Sequence, residues 1–426
     1  MKKFKILVFP CGSEIGLEIH RSLRYSAHLD LYGGSSVDDH GRFVFEKYIG
    51  GIPFIDSPDV ISSLKETIVT YGIDAIYPTM DKVIWKLKAH EEELGCKVIS
   101  SCLKTTEMCL SKKKTYALLA DKTKTPKIFG SLGDVEEYPI FIKPDIGYGT
   151  RGVFKAESRE KAEGFLSDKK KEDHVLSEYL PSDEFTVDCF TNRKRELMFV
   201  GPRKRWRIVN GISVNTTIEK DEDNEFVNMA RLINDTLEFR GAWFFQVKKD
   251  KKGHMTLLEV ASRLGGSSSL YRGRGINFAL LSVYDAFNVD VEILANQYGI
   301  EMDRALDNKY KLDLEYSTIY VDYDDCLLID NKVNHELLSF LFKALNQKKK
   351  IFLLSKHEGD LTASLKTNRL EGIFDRVIQI GKNERKVDHL DPSGAIFIDD
   401  SFAERKAVSR QYGIPVFSPD MIETLI

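Results

Sequence analysis

Apolar and polar positions change in a regular order along residues 1–105. Short apolar runs typical of buried strands are KILVFP, LDLYGG, DAIYPTM and CKVISS. Two intervening segments space apolar residues as an amphipathic helix does, namely GLEIHRSLRYS and DKVIWKLKAHEEEL. Strands that alternate with helices form parallel sheets, so the first domain is predicted to be a small α/β layer.

The pattern changes over residues 106–300, where glycines and strand-like runs dominate. The runs are YPIFIKP, VLSEYL, FTVDCF, GAWFFQVKKD and MTLLEVAS. A polar turn joins the last two runs, which is typical of an antiparallel hairpin. We therefore expect a second domain of α+β type with an antiparallel sheet.

Residues 301–317 are charged and weakly patterned, and we interpret them as a linker. From residue 318 strand and helix patterns alternate again, which predicts a third domain of α/β type over residues 318–426. A chain of 426 residues is too long for one hydrophobic core, in agreement with several domains.

Composition narrows the class of protein. With 42% apolar and 30% charged residues the chain is typical of a soluble globular protein, and its net charge of −3 argues against a nucleic-acid partner. The six cysteines form no C-x-x-C pair, which predicts reduced thiols and a cytoplasmic location. The apolar run before Pro10 is too short for a signal peptide, and no run could span a bilayer, so no membrane partner is expected.

A glycine-rich segment, FIKPDIGYGTRGVF, follows a buried strand that ends in Lys143. Its glycines, Gly147, Gly149 and Gly152, would let backbone N–H groups approach phosphate oxygens, and the lysine supplies a positive charge. Further along, Glu178 and Glu184 flank an extended segment suited to a nucleoside. Gln246 and Glu259 offer oxygen ligands for Mg²⁺ on neighbouring strands, and Arg263 follows.

In these motifs, and in GSEIG, IYPTMD and SKKKTYALL, residues 1–300 resemble the ATP-grasp superfamily, in its carbamoyl-phosphate-synthase-like carboxylate–amine ligase branch. The resemblance implies a Rossmann-like pre-ATP-grasp domain over 1–105, an ATP-grasp domain over 106–300, and ATP with Mg²⁺ as cofactors. It implies magnesium ligation by Gln246 and Glu259 and contact of Arg263 with an acyl-phosphate. The residues it implies for ATP binding are Lys112, Lys143, Gly147, Gly149, Thr150, Gly152, Glu178, Tyr179, Leu180 and Glu184.

One position departs from the family pattern, and one property stays open. Ala261 stands where the family's E-x-N-x-R motif has an asparagine, so one magnesium ligand is missing. The identity of the acceptor is indicated only by two basic stretches of the sequence. Taken one at a time, each of these basic side chains is best interpreted as solvated. We expect at least one of these six to pair with an anionic acceptor: Arg203, Lys204, Arg205, Arg207, Arg272 and Arg274.

Three aspartates, Asp322, Asp324 and Asp325, crowd the end of an apolar run in IYVDYDDCLL. Carboxylates repel each other, and a bound Mg²⁺ would relieve that repulsion. Later strands end in Ser355 and in the pair Asp399 and Asp400, and lysines lie between them. Because parallel strands present their carboxyl ends at one edge of the sheet, these side chains are expected to meet there.

This order of motifs resembles the haloacid-dehalogenase superfamily of phosphotransferases over residues 318–426. The resemblance implies that Asp322 is the nucleophile, that Asp324 is general acid and base, and that Ser355 and Lys386 hold the phosphoryl group; Lys386 fits the motif better than Lys382. It implies a magnesium site of Asp322, Asp324, Asp399 and Asp400. The short gaps on either side of Ser355 leave no room for a cap domain, so a capless Rossmannoid domain is expected.

Together the resemblances predict a bifunctional enzyme. An ATP-grasp ligase would form a carbon–nitrogen bond between a small-molecule carboxylate and an amine, and a phosphatase would act on a phosphorylated metabolite through an aspartyl-phosphate. A homodimer is compatible with the sequence. Two alternatives remain open for the first half: a kinase-like phosphotransferase, and an ATP-binding regulatory module that controls the phosphatase.

Overall fold

The computed structural model describes residues 3–147, 152–306, 310 and 312–426. The chain divides into two compact units, Met1–Asp307 and Asn308–Ile426. The division falls within the segment that the sequence predicts to be a linker.

A parallel five-stranded sheet opens the first unit, in the strand order β3-β2-β1-β4-β5. Its strands are β1 Phe4–Phe9, β2 Leu29–Gly34, β3 Lys47–Ile49, β4 Ala75–Pro78 and β5 Lys97–Val98. The helices that accompany it are α1 Glu14–Leu23, α2 Gly41–Val44, α3 Val60–Tyr71, α4 Asp81–Ala89 and α5 Glu91–Leu94. The predicted strands and their parallel arrangement are observed; β3 escaped prediction because three residues are too few to show a pattern.

A small four-stranded antiparallel sheet follows, in the order β6-β9-β7-β8. Its strands are β6 Ile128–Phe129, β7 Ile140–Pro144, β8 Phe154–Ala156 and β9 His174–Glu178. Helices α6 Leu103–Leu110 and α7 Lys112–Leu119 precede it, and α8 Arg159–Leu166 follows β8. The glycine-rich segment lies between β7 and β8 in the sequence, and these two strands are antiparallel neighbours in the sheet.

The second antiparallel sheet has six strands in the order β14-β13-β10-β11-β12-β15. They are β10 Glu184–Thr191, β11 Leu197–Val209, β12 Ile212–Ile218, β13 Gly241–Lys249, β14 Met255–Ala261 and β15 Glu301–Asp303. Three helices belong to this part: α9 Glu225–Thr236, α10 Ser269–Arg272 and α11 Phe278–Ala286. The predicted hairpin of β13 and β14 is observed, whereas residues 301–303, predicted as linker, form the edge strand β15.

The second unit has a parallel five-stranded sheet in the order β20-β19-β16-β21-β22. Its strands are β16 Thr318–Val321, β19 Lys350–Ser355, β20 Arg376–Gln379, β21 Ala395–Ile398 and β22 Val416–Phe417. The strands β17 Leu328–Ile329 and β18 Lys332–Val333 form a separate two-stranded hairpin. The helices are α12 His335–Asn346, α13 Leu361–Thr367 and α14 Phe402–Tyr412. Short 3₁₀ helices in the two units are Leu132–Asp134, Lys171–Asp173, Lys386–His389 and Pro419–Leu425.

Each unit buries its own apolar side chains. In the second unit, α12 and β16 pack around fully buried residues such as Val321, Tyr323 and Leu341. In the first unit, one core lies between the parallel sheet and α11, and another lies under the six-stranded sheet around Trp243 and Phe245. Both faces of the parallel strands are covered, which is why those strands have nearly continuous apolar sequences.

No helix in the described part of the chain combines the length and apolar character needed to cross a membrane.

Candidate nucleotide and metal sites

A cavity of about 210 Å³ in the first unit is lined by the four-stranded and the six-stranded sheet. Many residues that the sequence predicts for ATP and magnesium line it together: Lys112, Lys143, Gly147, Glu178, Tyr179, Leu180, Glu184, Gln246 and Glu259. Gly152 is described but is not among the lining residues, while Gly149 and Thr150 lie outside the described residues. We name this cavity the nucleotide pocket for its shape and lining.

Lys143 is the most buried cation of the nucleotide pocket. It ends β7, and its Nζ donates to the Tyr116 hydroxyl at 2.6 Å and to the Leu258 carbonyl at 3.4 Å. Burial, with a smaller effect from the charge of Lys112, lowers the pKa of Lys143 to about 8. The side chain is therefore a cation at neutral pH. Among the described residues no carboxylate forms an ion pair with it, although the charges of Glu259 and Glu184 act on it from further away and oppose the fall in its pKa.

The start of α7 is fixed to the glycine-rich segment. Ser111 caps the helix by accepting the Lys114 N–H, and its hydroxyl donates to the Asp145 carboxylate at 2.8 Å. Asp145 also accepts the Lys113 N–H at 2.7 Å. Lys112 Nζ donates to the Asp145 carbonyl at 3.2 Å, so the helix start and β7 hold this ammonium group at the edge of the pocket.

The end of β9 and the start of β10 form the opposite wall. The Glu178 carboxylate accepts the Lys127 N–H at 2.9 Å, which ties this segment to β6. Glu184 forms an ion pair with Arg205, and Lys248 Nζ lies 3.5 Å from its other oxygen. The segment between them carries Tyr179 and the buried Leu180, which offer flat and apolar surface for a base.

Gln246 and Glu259 are direct partners in the register of β13 and β14. Side chains opposite each other in an antiparallel pair project on the same face, and both line the nucleotide pocket. An amide oxygen and a carboxylate are ligands that Mg²⁺ accepts, so the donor chemistry fits a magnesium ion accompanied by phosphate oxygens.

Arg263 does not line the nucleotide pocket. Its Nε lies 2.9 Å from both carboxylate oxygens of Asp81, and its Nη1 donates to the Leu264 carbonyl at 3.3 Å. The charge of Glu259 acts on Arg263 as well, which places the two side chains near each other. Ala261 is buried opposite Phe244, so its methyl group contributes packing and no ligand.

The six basic residues expected near the acceptor have different environments. Arg203 and Arg205 are buried, which contradicts their interpretation as solvated side chains. Arg203 pairs with the equally buried Asp188 at 2.7 Å, and Arg205 lines the nucleotide pocket. The other four are half-buried or exposed and each has a polar partner: Lys204 with Asp183, Arg207 with Asp303, Arg272 with the buried Glu18, and Arg274 with Gln297.

A second polar cluster lies at the carboxyl edge of the parallel sheet in the second unit. Asp322, Asp399 and Asp400 each offer an oxygen, and the three oxygens lie within 4.8 Å of one another. Lys386 Nζ is buried between two of them, 2.8 Å from Asp322 and 2.6 Å from Asp399. Three carboxylates around one lysine leave excess negative charge, which fits a divalent cation.

Burial dominates the electrostatics of this aspartate cluster. It raises the pKa of Asp399 to about 6, with a further contribution from the neighbouring charge of Asp322. Burial also raises the pKa of Asp322, against the opposing effect of Lys386. Burial lowers the pKa of Lys386, but the two aspartates outweigh it and the pKa is raised overall. Lys386 therefore stays charged.

Two other predicted residues lie at this edge in different settings. Ser355 Oγ is buried beside Asp322, and its interaction with that carboxyl opposes the burial that raises the pKa of Asp322. Asp324, predicted as a magnesium ligand, is outside the aspartate cluster, and both its oxygens lie about 3 Å from His357 Nδ1. Lys382 is exposed and pairs with Glu358, so only Lys386 enters the site.

Three residues near these sites were not singled out from the sequence. Lys248 could have been found, because it lies two positions after Gln246 and therefore on the same face of β13. Asp81 occurs in the quoted IYPTMD motif, but only the fold brings it to Arg263, far along the chain. His357 follows Ser355 by two positions, and no periodicity marks it as a partner of Asp324.

A family model supports an ATP-grasp domain in the first unit. Residues 170–306, about a third of the chain, match the family described as "ATP-grasp in the biosynthetic pathway with Ter operon". Among curated proteins, D-alanine--D-alanine ligase of Fusobacterium nucleatum is 28% identical over 119 residues. The match covers 28% of this chain and 41% of that protein, so the chain spans about two fifths of this relative.

Solved structures with the same fold agree. The biotin carboxylase domain of Hydrogenobacter thermophilus 2-oxoglutarate carboxylase, a dimer solved with MgADP, ADP and bicarbonate, is similar with a TM-score of 0.58 at 15% identity, covering 69% of this chain and 71% of that one. The L-amino acid ligase of Bacillus licheniformis is similar with a TM-score of 0.54 at 18% sequence identity. The match covers 67% of this chain and 74% of that chain. N5-carboxyaminoimidazole synthetase of Staphylococcus aureus, solved as a complex with ADP, is similar with a TM-score of 0.57 at 14% sequence identity. The match covers 68% of this chain and 79% of that chain. The first unit thus shares the ATP-grasp fold of these proteins.

Proposed function

We propose that this protein is a bifunctional enzyme with an ATP- and Mg²⁺-dependent ligase in the first unit and a Mg²⁺-dependent phosphatase in the second. The domains we propose are a Rossmann-like domain over 1–105, an ATP-grasp domain over 106–300 that is extended by the edge strand β15, a linker in the rest of the segment up to residue 317, and a capless haloacid-dehalogenase-like domain over 318–426. A cytoplasmic location is part of the proposal, and the six free cysteines support it.

The nucleotide pocket supports the ligase proposal. Lys112 and Lys143 would hold ATP phosphates, Tyr179 and Leu180 would contact adenine, and Glu184 would bind ribose hydroxyls. We assign magnesium to Gln246 and Glu259, and the ion would neutralise charge on the phosphates. The ammonium group of Lys143 is buried and forms no ion pair with a carboxylate among the described residues, so it is suited to the charge of a transferring phosphoryl group.

The chemistry proposed for the first unit has two steps. A carboxylate oxygen of the substrate attacks the γ-phosphorus of ATP, the bond to the β-phosphate oxygen breaks, and ADP leaves as an acyl-phosphate forms. An amine then attacks the acyl carbon, inorganic phosphate leaves with the electron pair of the C–O bond, and the proton lost by the amine nitrogen passes to the departing phosphate or to water. In this proposal Arg263, which pairs with Asp81 and feels the charge of Glu259, would stabilise negative charge on the acyl-phosphate.

The aspartate cluster supports the phosphatase proposal. Asp322 would attack the phosphorus of a phosphomonoester, with Ser355 and Lys386 binding the phosphoryl oxygens. Asp324 would protonate the leaving alcohol and then take a proton from the water that hydrolyses the aspartyl-phosphate. We assign magnesium ligation to Asp322, Asp399 and Asp400; the position of Asp324 against His357 argues for acid–base work rather than side-chain ligation.

The observation that carries the ligase proposal is the convergence of phosphate, ribose and magnesium groups on one cavity from segments more than a hundred residues apart. The test is a screen of carboxylates and amines with ATP and Mg²⁺. We expect the wild-type protein to form ADP and an amide, and Lys143→Ala to lower the rate roughly a hundredfold. A stable phosphorylated product instead of an amide would identify the kinase-like alternative.

Asp322→Asn is the matched variant for the second unit. It should remove phosphatase activity by a factor of roughly a thousand or more, because the nucleophile is lost, and leave ADP formation unchanged. Lys143→Ala should lower ADP formation and leave phosphatase activity unchanged. Loss of ADP formation in Asp322→Asn alone would contradict the assignment of the two reactions to separate units.

Ala261 favours a second candidate, an ATP-binding module that regulates the phosphatase. With alanine at this position a ligand is missing beside Glu259. This candidate predicts ATP binding without turnover and a phosphatase rate that changes when ATP is added. Ala261→Asn would then raise ATP turnover strongly, whereas in a working ligase it should change turnover little; Ala261→Leu controls for altered packing against Phe244.

A further inference from the structure

Arg205 occupies an unexpected position in the wall of the nucleotide pocket. It belongs to a basic stretch of β11, yet its side chain is only 5% exposed. The alternation of the strand is interrupted by irregular register between Arg205 and Arg207, and Arg207 is 57% exposed. The irregularity explains why two arginines two positions apart have such different environments.

The guanidinium of Arg205 joins two parts of the pocket. Its Nη1 pairs with the carboxylate of Glu184 on the adjacent strand β10, and its Nη2 donates to the Gly211 carbonyl at 2.6 Å. Its Nε is buried, and no described residue accepts a hydrogen bond from it. One rigid, planar group therefore holds both Glu184, which is proposed to bind ribose, and Gly211 at the tip of the hairpin of β11 and β12.

This arrangement orients the Glu184 carboxylate. Arg205 holds one oxygen, and Lys248 approaches the other at 3.5 Å. A carboxylate fixed in this way keeps lone pairs for donors from the pocket, and sugar hydroxyls are such donors. If the carboxylate could turn freely, hydrogen bonds to a ribose would cost more side-chain entropy and discriminate less.

The hairpin tip depends on the same group. Asn210 and Gly211 form the turn with positive φ angles of 50° and 78°. Ile208 and Gly211 line the nucleotide pocket, so the position of the tip shapes the cavity. Trp206, on the same hairpin, is 59% exposed and stacks against Lys204, where its fluorescence can report movement of the tip.

We propose that Arg205 is a positioning residue that determines nucleotide specificity, because it orients Glu184 towards ribose hydroxyls and fastens the β11–β12 hairpin tip over the bound nucleotide. The proposal rests on the proposed ATP-binding function of the first unit. The sequence pattern assigns Arg205 to the acceptor, whereas this proposal assigns it to the nucleotide. The proposal predicts that ribose recognition and the position of the β11–β12 hairpin tip depend on the same side chain.

Binding of ADP, 2′-deoxy-ADP and 3′-deoxy-ADP with Mg²⁺ to the full chain, measured by calorimetry, tests ribose recognition. We expect the wild-type protein to bind at least one deoxy analogue on the order of tenfold more weakly than ADP, as for one hydrogen bond to a charged group. In Arg205→Lys this ratio should fall towards one, because the compact ammonium group lacks the planar fork whose separate nitrogens bridge Glu184 and Gly211 and fix the orientation of the carboxylate. Arg240→Lys, which alters the Asp285 pair outside the pocket, should retain the ratio.

Fluorescence tests the hairpin. ADP should change the emission of the wild-type protein and of Arg240→Lys, and Trp206→Phe should remove that change. Arg205→Lys should bind ADP by calorimetry without the change in emission. Glu184→Gln should lose the ribose ratio but keep the change in emission, because the contact of Arg205 with Gly211 remains. This second variant keeps the proposal testable should Arg205→Lys fail to fold.

The outcomes separate the two levels of the proposal. If the wild-type protein binds no ADP, the ATP-binding function itself is wrong and the role of Arg205 falls with it. If the wild-type protein binds ADP but shows no ribose ratio, or if Arg205→Lys retains both the ratio and the emission change, the role of Arg205 alone is overturned. If Arg205→Lys does not fold, retention of the ribose ratio by Glu184→Gln overturns it.

Discussion

Lys143 and Lys386 are both buried lysines, and their surroundings change their pKa values in opposite directions. Lys143 contacts a hydroxyl and a carbonyl, so burial dominates and its pKa falls to about 8. Lys386 lies between two carboxylates, which outweigh burial and raise its pKa. A lysine without a carboxylate partner can bind an anion directly, whereas Lys386 already neutralises part of the aspartate cluster.

Nucleotide affinity should depend on the charge of Lys143. Below about pH 8 the side chain is protonated in the free protein, and above that value the charge is lost unless ADP binding restores the proton. ADP affinity should therefore fall, roughly tenfold, between pH 7 and 9.5, as measured by calorimetry. Lys143→Met should bind more weakly and show no such fall. A wild-type affinity that is constant over this range would contradict the depressed pKa.

Magnesium binding in the second unit should weaken in acid at an unusually high pH. Asp399 has a pKa of about 6, so below pH 6 it carries a proton that a metal ion must displace. Calorimetry without nucleotide should show strong Mg²⁺ binding to the aspartate cluster at pH 7.5 and little at pH 5. Asp399→Asn should remove this binding at both values, while Asp388→Asn, outside the cluster, should behave as wild type. Equal binding at both values would argue against Asp399 as a ligand.

At the scale of elements, short contacts hold each part of the nucleotide pocket at the end of a helix or strand. The N-terminus of α7 is capped by Ser111, and the same hydroxyl binds Asp145 beside the glycine-rich segment. The register of β13 and β14 places Gln246 opposite Glu259. Local hydrogen bonds thus decide where the phosphate and magnesium groups lie.

The two serine caps of α7 and α8 offer a comparison. Ser111→Ala and Ser158→Ala each remove a side chain that accepts a helix N–H, and each should cost about 1 kcal/mol in the free energy of unfolding. Only Ser111→Ala should also weaken ADP binding, by a few-fold, because Asp145 and Lys112 lose their anchor. Denaturant melts and calorimetry on both variants provide the measurement. Equal effects of the two variants on ADP affinity would show that the α7 cap does not position the pocket.

At the scale of the whole molecule, the two units have separate cores, each large enough to unfold cooperatively. Calorimetric scanning should therefore resolve two transitions. ADP with Mg²⁺ at a hundred times its Kd should stabilise only the first unit, by about 2.7 kcal/mol, and raise one melting temperature by roughly 5 °C. Lys143→Met should show a much smaller shift. A single transition, or an equal shift of both, would mean that the units do not unfold independently.

The predicted strands and helices are largely those observed, because each apolar run is long enough to show its period. The alternation of strand and helix determined the parallel sheets around β1 and β16, and the polar turn between β13 and β14 determined their hairpin. Both short and long elements were missed. Among the short ones, β3 has three residues, and β15 lies in a charged segment whose pairing with β12 depends on the tertiary structure. Among the long ones are β11, whose second half is a basic stretch, its partner β12, and the helices α3, α9 and α11.

The sequence by itself also determined which residue types gather at the two sites, since lysines, glycines and acids at strand ends follow recognisable motifs. Only the tertiary structure decided their partners. It buried Arg205 against Glu184, paired Arg263 with Asp81, placed Lys386 between Asp322 and Asp399, and left Asp324 against His357. The physical reason is that local patterns fix the direction of a side chain along its own strand, whereas its partner, burial and pKa depend on segments far away in the chain.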